Sequence, residues 1–595
     1  MGDRNNPGAK APGLFASKSA AMKRTYSTTW GAQLVDGGVR FRLWAPAART
    51  VSVVLVDAGE RLTQLTKSPD GWFEGVVTGA TAGSRYLYEI DETLRVADPA
   101  SRFQPEGVER PSEVIDPAAF EWPETQFKAP AYHELTIYEL HVGTFTEQGT
   151  YEAAQEHLPH LVQTGVRAIE LMPLSQAAGT RNWGYDGVHH YAPAFQYGRP
   201  EDLKRFVVAA HEHGLAVLLD VVYNHFGPQG NYLPRYAPQF FSAKLATPWG
   251  AGIDYGSASN DAVRRYAIEN ACYWLVEYGF DGLRLDATPM IFDTRPKHVL
   301  HEIVDECKRA ANRTAYLIAE DVKNEVTELV APFDGRWSDD AHHALHVAIT
   351  GERGEYFQVF ADAPIEHLGA ALTTEAVHRL NYLQNHDQIG NRPLGERLGA
   401  LTSADAVRAA AAAVLLAPGV PLIFMGEEWG ASTPFLFFCD FEPNLAKRVR
   451  DGRRVEFAGL AGFDDPHTLA AIVDPASIQA MTDSRLRWHE IERAEHRAML
   501  EWYRTLFRVR ADRIVPLISE GPPASSTYRT IGQRGLTARW QFEGGSALVL
   551  DANFGEAKQA GFDEDARGCL VFATHGARYA QGVAPSWSVR WSTGE

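Results

Sequence analysis

Three patterns of apolar and polar positions divide the chain. From Trp30 to about Pro130, short runs such as "VRFRLWAP", "TVSVVLVD", "WFEGVV" and "RYLYEI" alternate apolar and polar residues between turns rich in Gly, Asp and Ala. Period-two alternation buries one face of each run, and short strands at this spacing predict a small immunoglobulin-like β-sandwich over residues 30–130. Trp44 and Trp72 lie in these runs, where they either stack on sugar rings or fill the core and the contact to the next domain. Between residues 131 and 512 the apolar runs are continuous instead: "LTIYELHV", "VRAIELMP", "LAVLLDVV", "GFDGLRLDA", "TAYLIAED", "FDGRWSDD", "RLNYLQNHD" and "PLIFMGEE". Amphipathic stretches such as "EDLKRFVVAAHEHG" and "DAVRRYAIENACYWLVEYG" separate them, and "HRAMLEWYRTLFRVRAD" follows the last. Strands buried on both faces and interleaved with helices predict a (β/α)8 barrel, an α/β fold. Over residues 513–595 short alternating runs return, predicting a small C-terminal β-sandwich whose main role is packing.

Composition narrows the partner class. The 595 residues are 45% hydrophobic and 22% charged, with a formal net charge of −18. Counterion release from nucleic acid, like attraction to an anionic membrane, needs clustered Lys and Arg, so an uncharged or cationic partner is expected. Cys272, Cys307, Cys439 and Cys569 form no CxxC pair, which signals neither a zinc site nor a disulfide framework and suits a reducing, cytoplasmic setting. No run approaches the ~18 apolar residues of a membrane helix. Residues 1–29 lack an apolar signal-peptide core and read as a flexible leader outside the fold, with Met22 an alternative start.

Charge at the strand ends changes the picture more. In "GFDGLRLDATPM", Arg284 and Asp286 share one face of a strand whose Phe280, Leu283 and Leu285 suggest burial. A buried charge is ordinarily paired, so a structural ion pair and a catalytic pair explain this stretch alone equally well. Four other strand ends break the tie: Asp220, Asn224 and His225 follow the third, Glu320 and Asp321 the fifth, Asp339 and Asp340 the sixth, His386 and Asp387 the seventh. Barrel active sites form at the carboxyl ends of the strands, and five strands delivering acids or imidazoles to one rim exceed what a single ion pair needs.

Several carboxylates, many aromatics and no evident metal cluster point to glycosidic bond chemistry. One carboxylic acid protonates the leaving oxygen while one carboxylate meets the oxocarbenium-like carbon, and aromatic faces hold the sugar. An arginine beside a nucleophilic carboxylate favours its charged form, a place Arg284 fills next to Asp286. Crowding by neighbouring carboxylates keeps Glu320 protonated for work as the acid near neutral pH.

"DVVYNH" (220–225), "DGLRLDA" (281–287), "AED" (319–321) and "QNHD" (384–387) resemble, in order, the four signature regions of the α-amylase family of glycoside hydrolases. Carried over residue by residue, the resemblance implies Asp286 as nucleophile, Glu320 as general acid/base and Asp387 as transition-state stabiliser. Arg284, His225 and His386 become contacts around the reacting glucose, and the family's retention of configuration through a covalent glycosyl-enzyme fits those roles.

Longer stretches, among them "ELMPLSQAAGTRNWGYDGVHHYAP", "TPWGAGIDY", "WSDDAHH", "QNHDQIGNRPLGERL" and "EEWGASTPFLFFCDFEP", are similar to the maltooligosyltrehalose trehalohydrolases of that family from Trp30 onward. Such enzymes cleave the α-1,4 bond next to a terminal trehalose, in trehalose biosynthesis. The resemblance implies maltooligosyltrehalose as substrate, a functional pairing with the synthase that makes it, and substrate contacts from Asp220, Arg284, Leu285, Ala287, Thr288, Pro289, Asp339, Asp340, Ala341, His342, His343, His386, Gln388, Ile389, Gly390 and Asn391. Trp183 and Tyr185 are candidate stacking residues. For the trehalose itself, Asn391, Arg392 and Glu427 are candidate polar contacts and Trp429 and Phe435 candidate platforms, since these loops also need residues for packing. Two departures from relatives stand out: Pro289 replaces a histidine and Ala341 an aromatic, so a peripheral contact is missing or replaced. The segment from His225 to Asn260 is short for the inserted domain of amylases and offers no calcium cage, so no metal or other cofactor is expected. Glycogen branching or debranching enzymes share the sandwich, barrel and four regions. A glycan-binding protein on this fold is expected to have lost one of Asp286, Glu320 and Asp387, and all three are present.

Overall fold

Eight parallel strands close the barrel in a computed structural model that describes residues 23–458, 471–576 and 578–594. They are β1 (Ile137–Leu140), β2 (Ala168–Leu171), β3 (Ala216–Val221), β4 (Gly282–Leu285), β5 (Tyr316–Glu320), β6 (Gly335–Trp337), β7 (Arg379–Asn381) and β8 (Val420–Phe424), with β8 pairing back to β1. Seven fall within the apolar runs read from the sequence, and β8 begins one residue before the last of them. Alternation sorts their side chains: Ile137, Ala168, Leu218, Ile318, Trp337, Leu380 and Leu422 fill the barrel interior, while Ile169, Leu219, Leu283, Leu285 and Leu317 face the surrounding helices. Register sets Asp220, Arg284 and Ile318 side by side on the inner face, above Leu218, Gly282 and Tyr316. Arg284 thereby points inward one layer below the rim.

The outer ring comprises α1 (Leu158–Thr164), α2 (Pro200–Glu212), α3 (Asp261–Glu277), α4 (Val299–Ala311), α5 (Asp340–Thr350), α6 (Pro364–Thr373), α7 (Ala404–Leu415) and α9 (Ala494–Val509), whereas α8 (Pro443–Phe457) lies at the rim, where Arg453 donates to Asn391 Oδ1 at 2.9 Å. Their starts follow capping chemistry. Pro200 opens α2 and Asp202 reaches back to the Arg199 N–H at 2.7 Å, while Ser403 caps α7 by accepting from Ala406 N at 3.2 Å. Turns and bends, not a helix, join β5 to β6. There Asp321 accepts the N–H groups of Glu325 and Val326 at 2.8 and 3.4 Å and holds the loop.

The N-terminal domain is a sandwich of two antiparallel sheets, one ordered 31–35, 38–44, 72–78, 66–67 and the other built on 61–64, 51–55, 85–90 and 94–96. Trp44 and Trp72 resolve to the packing role. Trp30 meets Trp72 at 4.7 Å and Tyr266 of α3 at 5.2 Å, and Trp44 meets Phe240 at 5.9 Å, all edge-on. Of the expected leader, residues 1–22 lie outside the described residues. Residues 24–29 lie against the fold: Arg24 covers the Trp122 ring at 4.4 Å, Arg102 donates to Tyr26 O at 2.9 Å, and Thr29 N donates to Glu269 of α3 at 2.7 Å.

After α9 comes a five-stranded antiparallel sheet (525–531, 535–541, 547–553, 588–594, 569–573 in spatial order) with a separate two-stranded ribbon. Its inner face lies on barrel helices instead of on a second large sheet. The indole N–H groups of Trp540 and Trp591, stacked at 5.5 Å, donate to Leu372 O in α6 and Ala412 O in α7. Among the described residues no helix is long and apolar enough to cross a membrane.

Candidate active site

One buried guanidinium organises the rim. Arg284 Nη1 lies 2.7 Å from Asp220 Oδ2 and 2.9 Å from Asp286 Oδ1, and Nη2 lies 2.8 Å from Glu320 Oε2. The ring of Trp337 from β6 backs the guanidinium at 4.3 Å, so three carboxylates and an aromatic face meet on one charge. Asn224 donates to the other oxygen of Asp286 at 2.9 Å. Directly after Asp286 the chain turns through Ala287 in the left-handed region (φ 41°), unusual for a residue with a Cβ, and this turn aims the Ala287 N–H at Glu320 Oε2, 2.6 Å away. Thr288 Oγ1 donates to Glu320 O at 2.5 Å, tying the β4 loop to the end of β5.

These surroundings separate the acidities of the carboxyls. Burial first, then the Asp286 and Asp387 charges, raise Glu320 against the pull of Arg284 and the Ala287 N–H, to about 8. Burial likewise raises Asp220 to about 7, opposed by Arg284. A carboxyl that stays protonated at neutral pH beside Asp286 is what acid catalysis of glycoside cleavage requires.

The seventh strand delivers Asp387 in the first turn of a short helix, His386–Gly390, capped by Asn385. His386 Nε2 is 3.5 Å from Asp387 Oδ1, and Asn391 donates to the same oxygen at 3.1 Å. Glu139 of β1 contacts His386 Nδ1 and accepts the His386 backbone N–H at 3.1 Å. Tyr185 lays its ring along that of His386 at 5.1 Å and donates to Asp220 at 2.6 Å.

Several other residues named from the sequence gather at this cleft. His225, its basicity lowered by burial, stacks on Trp249 at 5.2 Å, and Pro289 sits half-buried beyond Thr288. Asp339 accepts from Tyr382, and Gln388 lies within its reach. Burial lowers His343 to about 4, and its ring lies parallel to Tyr356. Trp183 meets the His386 ring edge-on at 5.6 Å, and Gly390 is needed there because a Cβ would come within 2.1 Å of the Trp183 ring.

Others are placed in packing. Leu285 points to the helix layer, opposite Arg284, because neighbours on a strand face opposite ways. Ile389 and Ala341 are buried, His342 spends Nδ1 on Leu383 O, and Asp340 accepts from Asn324 at 2.7 Å beside Arg379. Arg392 is committed to Glu352 through both Nη atoms, at 2.8 and 2.9 Å. Glu427 accepts from Tyr503 OH of α9 at 3.0 Å, Trp429 is enclosed between His160 and Trp488, and Phe435 lies fully buried against Trp183 at 5.2 Å. The sequence reading of the site omitted Glu139, Trp249, Trp337 and Tyr382. A lone acid inside the apolar run "LTIYELHV" was the available signal for Glu139; the others show no pattern before folding.

The family "Alpha amylase, catalytic domain" matches residues 125–239 and 257–506. "Carbohydrate-binding module 48 (Isoamylase N-terminal domain)" matches 28–117, and a domain of unknown function, DUF3459, matches 523–591. A malto-oligosyltrehalose trehalohydrolase of Deinococcus radiodurans is 42% identical over 514 residues, 82% of this chain and 83% of its own length. The protein of the same name from Saccharolobus solfataricus is 39% identical over 513 residues, covering 81% and 87%. A crystal structure described as a putative α-amylase from Salmonella typhimurium is similar with a TM-score of 0.89 and 39% identity, over 96% of this chain and all of that one.

Proposed function

Because the chain belongs to the malto-oligosyltrehalose trehalohydrolases of the α-amylase family, we propose that it is a retaining glycosidase that cleaves the α-1,4 bond next to the terminal trehalose of malto-oligosyltrehalose. Glu320 donates its proton to the glycosidic oxygen as the bond to the anomeric carbon breaks. Asp286 attacks that carbon from the opposite face, and trehalose leaves with the proton. Glu320, now a carboxylate, takes a proton from water, whose oxygen displaces Asp286 and restores the original configuration. Asp387 stabilises the positive charge that develops on the sugar at each transition state, while Arg284 and His386 hold the carboxylates around it. The observation that carries this reading is the meeting of Asp286 and Glu320 on the one buried guanidinium of Arg284.

Trp249, Tyr185 and Asn391 stand where the sugar rings on either side of the bond are held. The mechanism draws on protein groups alone, so activity is expected to survive exhaustive EDTA dialysis; loss restored by calcium counts against it. Buried free thiols at Cys272, Cys307 and Cys439 support a cytoplasmic setting, and the substrate implies pairing with a synthase that makes the terminal trehalose. Product analysis on maltotriosyltrehalose, maltopentaose and amylopectin tests the reading. Free trehalose from the first, with slow cleavage of the others, is the expected result. Cleavage or branching of the plain glucans without trehalose moves the chain to the branching or debranching side of the family.

A further inference from the structure

Glu139 is the one acid of β1, on its inner face and 1% exposed in its side chain. It holds His386 twice, through the ring Nδ1 and through the backbone N–H that opens the turn carrying Asp387. The other ring nitrogen faces Asp387, so a carboxylate stands at each end of the imidazole. Compare three other enclosed imidazoles of this barrel: burial lowers His141 and His189 to about 4 and His190 to about 3. The His141 and His189 rings bond to backbone carbonyls or to other neutral groups, whereas His386, equally buried, is raised to about 10 by Asp387 and Glu139.

We infer that Glu139 is a positioning residue for the reaction: it keeps His386 cationic, with both ring nitrogens protonated, and fixes the turn that aims Asp387 at the sugar. The inference rests on the hydrolase reading above and deepens it. The remaining charged and titratable neighbours do not substitute for Glu139. Glu170 of β2 is buried with both oxygens unpaired and strongly favours its neutral form, Tyr185 stays a neutral phenol, His141 is a neutral imidazole, and Arg284 acts against a second positive charge. With Glu139 in place, His386 titrates above Glu320, and loss of the Glu320 proton ends activity first as pH rises. With the carboxylate gone, Asp387 alone is left to hold the His386 proton, and the imidazole gives it up at lower pH.

The test is Glu139→Gln, whose amide oxygen still accepts the backbone N–H, beside Glu139→Asp and the wild type on the same malto-oligosyltrehalose substrate. In Glu139→Gln the alkaline limb of kcat/KM is expected to move down by at least about one pH unit, with kcat falling more than KM rises. Glu139→Asp recovers part of the shift. A uniform fall in rate with an unchanged profile assigns Glu139 a purely structural role and overturns the inference. Hydrogen exchange at the His386 ring C2 position, followed by mass spectrometry across pH, reads the same titration without turnover. A midpoint unmoved in Glu139→Gln overturns the inference even if the wild type proves inactive on every trehalose-capped glucan, an outcome that bears on the hydrolase reading alone.

Discussion

Glu320 and Glu427 occupy two regions of the same barrel face and share one electrostatic property: burial raises each to about 8. Their neighbours differ. Glu320 ends β5 against Arg284, with Asp286 and Asp387 close by, and its oxygen receives the N–H of a strained turn. Glu427 follows β8 and accepts from Tyr503 of α9 and from the Phe424 backbone, inside a packed seam between strand and helix. A raised pKa therefore does not identify a catalytic acid in this protein; two further carboxylates and a place at the cleft do. From the sequence Glu320 is the expected acid and Glu427 a candidate contact to trehalose; the fold puts the first at the cleft and the second in packing.

The widest separation is expected in turnover. Glu320→Gln removes the transferable proton, and kcat should fall by about 10²–10⁴, the range for loss of a general acid. Glu427→Gln keeps an acceptor for Tyr503 and should stay within a few-fold of wild type. Wild-type kcat should decline as pH rises through about 8, where Glu320 loses its proton. A Glu427→Gln enzyme as inactive as Glu320→Gln would break the comparison.

Trp429 belongs to the Glu427 side of the contrast. It is fully buried against His160 and Trp488, and truncation leaves a large cavity, so Trp429→Ala should cost about 3–5 kcal/mol in denaturant unfolding. KM of whatever protein remains folded should hardly change. A stable Trp429→Ala variant with weakened substrate binding would restore the platform role that the sequence suggested.

Stability sharpens the pair further. A carboxyl whose folded pKa lies above its ordinary 4.5 favours the fold most at pH below that value, and the advantage is lost as pH rises through about 8. Gln does not titrate, so at neutral pH both Glu320→Gln and Glu427→Gln should be more stable than wild type, by ~1–3 kcal/mol. The gain should vanish as the pH approaches 4.5. If Glu320→Gln gains and Glu427→Gln loses, the Tyr503 bond outweighs the cost of burial.

What the sequence made legible follows the range of the interactions. All eight strands were readable because strands covered on both faces leave long apolar runs, and Arg284 and Asp286 were readable as anomalies within one. The same alternation that pairs them excludes Leu285, which entered the site only as part of a stretch resembling relatives. Glu139 was passed over because its partner, His386, lies 247 positions away and a lone acid in a strand names no partner. The loops after β7 and β8 were least legible: whether Arg392, Trp429 or Phe435 faces substrate or core depends on Glu352, Trp488 and Trp183, which only folding brings to them.

Trp249 is the counterpart of Trp429 and the smallest expected effect. It sits at the turn between strands 241–247 and 250–253, half exposed, with its ring against His225 and therefore at the edge of the Asp286 cleft. An exposed aromatic on a hairpin contributes little to the fold, so Trp249→Ala should leave unfolding free energy within about 0.5 kcal/mol of wild type. A sugar ring lying on that face loses a stacking surface, and KM should rise a few-fold with kcat nearly unchanged, the pattern of binding shared by ground state and transition state. Trp249→Phe should recover most of it. Were KM unmoved on both trehalose-capped and plain glucans, Trp249 would serve only to cover His225, and the two tryptophans would differ in burial but not in function.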